Sequence, residues 1–141
     1  GDMGNKETEK WISQNVKRTL EVVIEASDII NYETKKILIS TNDGIWLVRI
    51  KDIIRIEANG NYVKFYFFNK ESLLIAKTLK NYEKILLDYP FERIHKSHLI
   101  NLHHIKKYYK NDGGYVLMND DTQIEVARLK REKLMTRLEL L

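Results

Sequence analysis

From Lys36 onward, turn-forming residues break the chain every few positions between short apolar runs, which leaves room for little except strands. Residues 37–39 are apolar and run into Asn42, Asp43 and Gly44, after which residues 45–48 return. An Asp-Gly pair supplies the positive φ that a tight hairpin turn demands. Residues 53–56 lead in the same way to Asn59, Gly60 and Asn61. Tyr62, Lys64 and Tyr66 then alternate with Val63, Phe65 and Phe67, the period of a strand with two unlike faces. Asn69, Lys70 and Glu71 turn the chain into residues 72–75. Further strands are predicted over 93–95, 98–101, 105–109, 115–118 and 124–126, with turns at 111–114 and 120–122.

Helices fit in only three places. Residues 5–31 lack Gly and Pro, and Ile12, Val16, Leu20 and Val23 recur at helical spacing. The β-branched residues Val22, Val23 and Ile24 leave a strand open as an alternative there. Thr78 is placed to cap a helix whose stripe is Leu79, Tyr82, Ile85 and Leu86, closed by the lone proline, Pro90. A last helix is predicted from about Arg128, with Leu134, Leu138 and Leu141 on one face. The expected fold is therefore mainly β, with one helix among short sheets, a C-terminal helix and an N-terminal linker helix. Residues 1–35 form an extension and 36–141 a domain. Gly1 to Gly4 read as a start or tag remnant.

The formal charge of +4 conceals a separation. Residues 91–110 hold five Lys/Arg and a single acid, Glu92, and residues 128–137 hold five and Glu132. These two segments carry +8, so the remainder sums to −4. Concentrated cations on a mildly acidic body are the footprint of a polyanion partner. Solvated lysine faces are the commoner explanation of one such run, but the first run has Ile94, Leu99, Ile100, Leu102 and Ile105 woven through it, so it must pack while presenting its charge. Cysteine is absent, which excludes disulfides and thiolate chemistry, and no apolar run approaches the ~20 residues of a membrane-spanning helix. A cytoplasmic protein with no membrane partner is expected.

Catalytic patterns are weak. The four histidines, His95, His98, His103 and His104, fall within ten residues of one another. On a strand His95 and His98 would face opposite ways, and His103 and His104 cannot share a face. The positive surroundings also oppose a cation. Ser97 has no strained elbow, and no glycine-rich phosphate loop occurs. No cofactor and no catalytic or metal site is expected. The last helix is more telling, because Arg128, Lys130, Arg131 and Lys133 crowd the end where its dipole is already positive. Unanswered, each such cation costs about 0.3–1 kcal/mol, whereas a phosphate at that end reverses the sign. Arginine there can also address guanine with two parallel hydrogen bonds.

Four stretches carry a family resemblance: residues 52–62, 77–79, 91–101 and 124–128. In order and spacing they resemble the LytTR family, DNA-binding output domains of bacterial transcriptional response regulators in two-component phosphorelay systems. The likeness runs over about residues 36–138, and the block 91–101 is its most specific part. It implies an elongated arrangement of short antiparallel sheets that binds duplex DNA through loops. It further implies base or groove contacts from Asn61 and Tyr62, from Lys96 and from Arg128. Ser97 and Asn101 match polar positions that steady a loop or touch phosphate. Ala127 stands where members often carry serine, and Lys96 where some carry arginine or asparagine.

Sequence-specific DNA binding in transcription regulation, without catalysis, is thus the leading expectation. Lys96 and Arg128 would read bases, while Arg93, His95, Lys106, Lys107, Lys130, Arg131 and Lys133 supply or support phosphate contacts. The expected partners are double-stranded DNA, a receiver domain in the full-length protein, and a second copy of the chain on paired sites. Two other readings compete: a metal-dependent hydrolase built on the four histidines, and a basic β-module that meets an acidic protein.

Overall fold

Most turns fall where the sequence placed them, but at the first hairpin Gly44 opens a strand and takes no positive φ. The computed structural model describes residues 2–111 and 113–141. It divides into two units, Gly1–Lys35 and Lys36–Leu141. The first is a single helix, α1 (Asp2–Thr34), on which Trp11, Ile12 and Val16 are exposed. It continues unbroken through 22–24, because β-branching lowers helix propensity only slightly and no Gly or Pro interrupts. Gly1, and Asp112 of the predicted 111–114 turn, lie outside the described residues.

The second unit opens with a hairpin, β1 (Lys36–Thr41) and β2 (Gly44–Arg49), in which Thr41 pairs with Gly44 around a two-residue turn. The Thr41 hydroxyl donates to Asp43 Oδ1 at 2.7 Å and so holds the turn. Next come β3 (Ile53–Asn59), β4 (Tyr62–Phe67) and β5 (Ser72–Ile75). Helix α2 (Leu79–Ile85) follows, then β6 (Phe91–His95) and β7 (His98–Asn101). These five strands form one antiparallel sheet in the order β5-β4-β3-β7-β6. A 3-10 turn over Leu102–His104 leads to β8 (Ile105–Tyr109), β9 (Tyr115–Met118) and β10 (Gln123–Glu125), a three-stranded antiparallel sheet. The chain closes with a 3-10 turn, Arg128–Lys130, and helix α3 (Arg131–Glu139).

Thr78 caps α2 as expected, its hydroxyl accepting from Asn81 N–H at 3.2 Å. Leu79, Tyr82 and Leu86 are buried, and Tyr82 meets Phe65 of β4 edge-on with ring centroids 4.8 Å apart. Two stripe positions depart from expectation. Ile85 is exposed, because α2 ends there, before Pro90 is reached. Leu141 is exposed beyond the end of α3, which begins at Arg131; of the same stripe, Leu134 is buried and Leu138 packs against the core.

One hydrophobic cluster joins the two larger sheets and α3. Ile54, Ile94, Ile100 and Leu102 meet Val116, Met118, Ile124, Val126 and Leu134 there. Burying a side chain of this size contributes about 1.5–3 kcal/mol, so this set fixes how the three-stranded sheet sits on the five-stranded one. Arg55 adds a polar tie across the same junction. Its Nε donates to Asp120 Oδ2 at 2.8 Å, and its guanidinium lies 3.6 Å over the Tyr66 ring.

Candidate nucleic-acid interface

Three turns meet at one end of the five-stranded sheet. In the first, Asn59 pairs with Tyr62 across Gly60 and Asn61. Gly60 has φ +62°, a left-handed conformation that a side chain would strain. Asn59, Asn61 and Tyr62 are exposed, so Tyr62 is a tip residue rather than a core one.

The second turn is Lys96 and Ser97, between β6 and β7. Because β3 and β7 are antiparallel with Glu57 opposite His98, this turn lies beside the end of β3. Ala58 N–H donates to Ser97 O at 2.9 Å and fixes the first two turns side by side. From below, Arg93 donates to Lys96 O at 2.5 Å and pairs with Glu83 at 3.1 Å. Arg93 therefore holds the turn that presents Lys96, with its own charge already answered. Lys96 is exposed.

The third turn follows β10. Val126 N–H donates to Gly114 O at 3.1 Å, and Ala127 N–H donates to Ile94 O at 2.7 Å, two residues before Lys96. Arg128 then stands at the start of its 3-10 turn, with Leu129 fully outside the core behind it. Main-chain bonds thus bring the backbones that carry Lys96 and Arg128 together, although 32 positions separate them in the chain.

Arg131 and Lys133, two of the four cations at the start of the last helix, have partners within the protein. Arg131 Nε donates to Val126 O at 3.3 Å and lies against Gly113 and Gly114. Gly114 takes φ +82°, a left-handed conformation that a side chain would strain, and a Cβ there would lie 3.0 Å from the Tyr108 hydroxyl. Glu92, only 5% exposed, accepts from Arg137 at 2.8 Å and pairs with Lys133 at 3.3 Å. The Lys133 side chain is still 66% exposed and Lys130 half-buried, so both keep access to solvent.

Two expected phosphate residues sit elsewhere. Asn101 is fully buried, with Nδ2 donating to Ile53 O and Oδ1 accepting from His103 N–H, each at 3.0 Å. It cannot touch phosphate, so only its steadying role stands. Lys106 pairs with Asp121 at 2.6 Å, near the Ile105–Met118 end of its sheet, whereas the Arg128 turn adjoins the Gly114 end. Lys107 is exposed with Nζ 4.5 Å over the Tyr109 ring.

The histidines do not converge. His95 and His98 are register partners across the Lys96–Ser97 turn, so they share a face with ring centroids 5.4 Å apart. A continuous strand would put them on opposite faces, and the turn overturns that expectation. His95 Nδ1 accepts from Ser97 N–H at 3.1 Å, which steadies the tip. His98 titrates below its usual range, chiefly because it is buried, with His95 and Arg55 adding to the effect and Glu57 opposing it. His104 lies between Lys51 O at 2.6 Å and Asn119 Nδ2 at 2.9 Å. Among the described residues no three His, Asp or Glu side chains are grouped to hold a metal ion. No helix among them is long and apolar enough to cross a membrane.

Sequence reasoning missed the Arg55–Asp120 tie, and no local pattern signals a pair 65 positions apart. It also passed over Leu129, whose signal was available: a lone apolar residue inside a cationic turn.

Residues 43–139 match the family model described as the LytTr DNA-binding domain. The sensory transduction protein LytT of Bacillus subtilis (strain 168) is 28% identical over 131 residues, which is 89% of this chain. The chain spans about half of that relative's length, 54%. The fold is similar to the LytTr DNA-binding domain of a putative methyl-accepting/DNA response regulator from Bacillus cereus. That match has TM-score 0.63 at 20% identity and covers 74% of this chain and 97% of that one.

Proposed function

The chain belongs to the LytTr DNA-binding domain family, and from that premise we propose that it binds duplex DNA sequence-specifically, as the output domain of a bacterial transcriptional regulator. The observation that carries this reading is the bonding of three turns into one tip, through Ala58 N–H to Ser97 O and Ala127 N–H to Ile94 O. Lys96 and Arg128 enter a groove from that tip and address base edges, with Asn61 and Tyr62 beside them. Lys130 and Lys133 meet phosphate, and Arg131 and Lys107 flank them. Arg93, His95 and Ser97 hold the Lys96 turn in shape.

Such a tip has no need to lay a helix along the groove. Its framework is already bonded before DNA arrives, so little ordering accompanies binding. Cations that reach phosphate release counterions, and affinity falls steeply with salt. The domain performs no catalysis of its own.

The relative's greater length leaves space for a further domain, and a receiver domain ahead of α1 is the assembly proposed here. The exposed Trp11, Ile12 and Val16 support α1 as the element through which two copies pair on adjacent DNA sites. Localisation in the cytoplasm follows from that role.

Selection from a random duplex library tests the reading. One enriched motif is expected, and Arg128→Ala should flatten discrimination at a guanine within it by about 1–3 kcal/mol. Equal binding to all sequences by the unaltered chain would overturn the proposal and favour a basic module for acidic partners.

A further inference from the structure

Leu129 is 94% exposed, the highest value among the large apolar side chains of the described residues. It stands in the 3-10 turn between Arg128 and Lys130, on a backbone fixed by Ala127 N–H to Ile94 O at 2.7 Å and Lys130 N–H to Ala127 O at 2.8 Å. Scattered exposed leucines are ordinary. This one is not placed at random, because the cations on either side are those the DNA-binding reading sends to a base and a phosphate. A leucine between them is carried to the base edges with them.

The major groove offers one feature that no cation can recognise, the C5-methyl group of thymine, which is read by apolar contact. We propose that Leu129 reads thymine by packing against that methyl group, at a base pair next to the guanine that Arg128 addresses. The proposal rests on the DNA-binding reading. A wedge between base steps is the other use of an exposed leucine, but wedges enter from the minor groove. Arginine's paired hydrogen bonds to guanine N7 and O6 put this turn in the major groove.

The test takes the tightest duplex enriched by the whole chain and replaces each thymine in turn with deoxyuridine, which removes the methyl and preserves pairing. The unaltered chain should lose about fourfold at a thymine adjacent to the Arg128-sensitive guanine. That factor is the ~0.8 kcal/mol of one buried carbon. Leu129→Ala and Leu129→Gln should bind the thymine duplex more weakly and no longer distinguish it from the deoxyuridine duplex. With no packing to lose, both variants should melt at the parent temperature.

A flat deoxyuridine scan beside an intact Arg128-sensitive motif overturns the Leu129 assignment alone. A Leu129→Ala variant that retains the parent's thymine preference overturns it equally. A library that yields no motif overturns the Leu129 assignment together with the DNA reading it rests on.

Discussion

Asn101→Ala is expected to lower the stability of the 36–141 unit by about 2–4 kcal/mol while leaving its affinity for DNA unchanged. Two losses make up the figure. Ile53 is fully buried, so its carbonyl, deprived of the Asn101 Nδ2 donor at 3.0 Å, has no water to turn to. A buried group orphaned in this way costs about 1–3 kcal/mol. Asn101 Oδ1 also caps the Leu102–His104 turn by accepting from His103 N–H, and loss of a cap costs about 0.5–2 kcal/mol. Native domains carry only about 5–15 kcal/mol in all, so the variant should remain folded at room temperature. Urea denaturation followed by circular dichroism should show a midpoint lower by roughly 1–2 M, given a dependence of about 1–3 kcal/mol per molar for small domains. A titration with duplex DNA, done well below that midpoint, should match the parent. An unchanged midpoint with weakened DNA binding would refute the reasoning, since it would make Asn101 a contact and not an internal bridge.

Acid should destabilise the domain. His98 has a folded value below its ordinary 6.5, so the unfolded chain takes up the proton first, and the stability present above about that pH is lost as pH falls. Melting temperatures should decline as pH falls below about 6.5, and His98→Gln should flatten the decline; a rise on acidification would contradict the burial argument. For phosphate contacts the readout is the slope of log affinity against log salt. Lys130→Ala should shrink it by about 1, and Lys106→Ala, whose lysine is held by Asp121, should leave it unchanged.

The elements visible in the sequence were those with a local cause. Gly60 announces its hairpin because the turn takes φ +62° there, and Thr78 marks a helix start because its hydroxyl caps one, whereas Gly44 adopts no positive φ and simply opens β2. The Lys96–Ser97 turn carries no such residue, so a strand pattern sends its two flanking histidines to opposite faces. Four cations at the start of the last helix suggested an unmet need for anion, but two of them, Arg131 and Lys133, are answered by groups that tertiary packing supplies, the Val126 carbonyl and Glu92. Asn101 was legible as an important polar residue. Its burial was not, because only the pairing of β3 with β7 brings Ile53 O within reach. Charge concentration pointed to the candidate site, and long-range strand pairing decides which of those charges adjoin it.

Peptide groups, and not side chains, splice the three turns together. Every residue type except proline owns an identical amide and carbonyl, so the splice is indifferent to which residue occupies position 96, 128 or 129. Single exchanges at those positions accordingly leave the scaffold its shape.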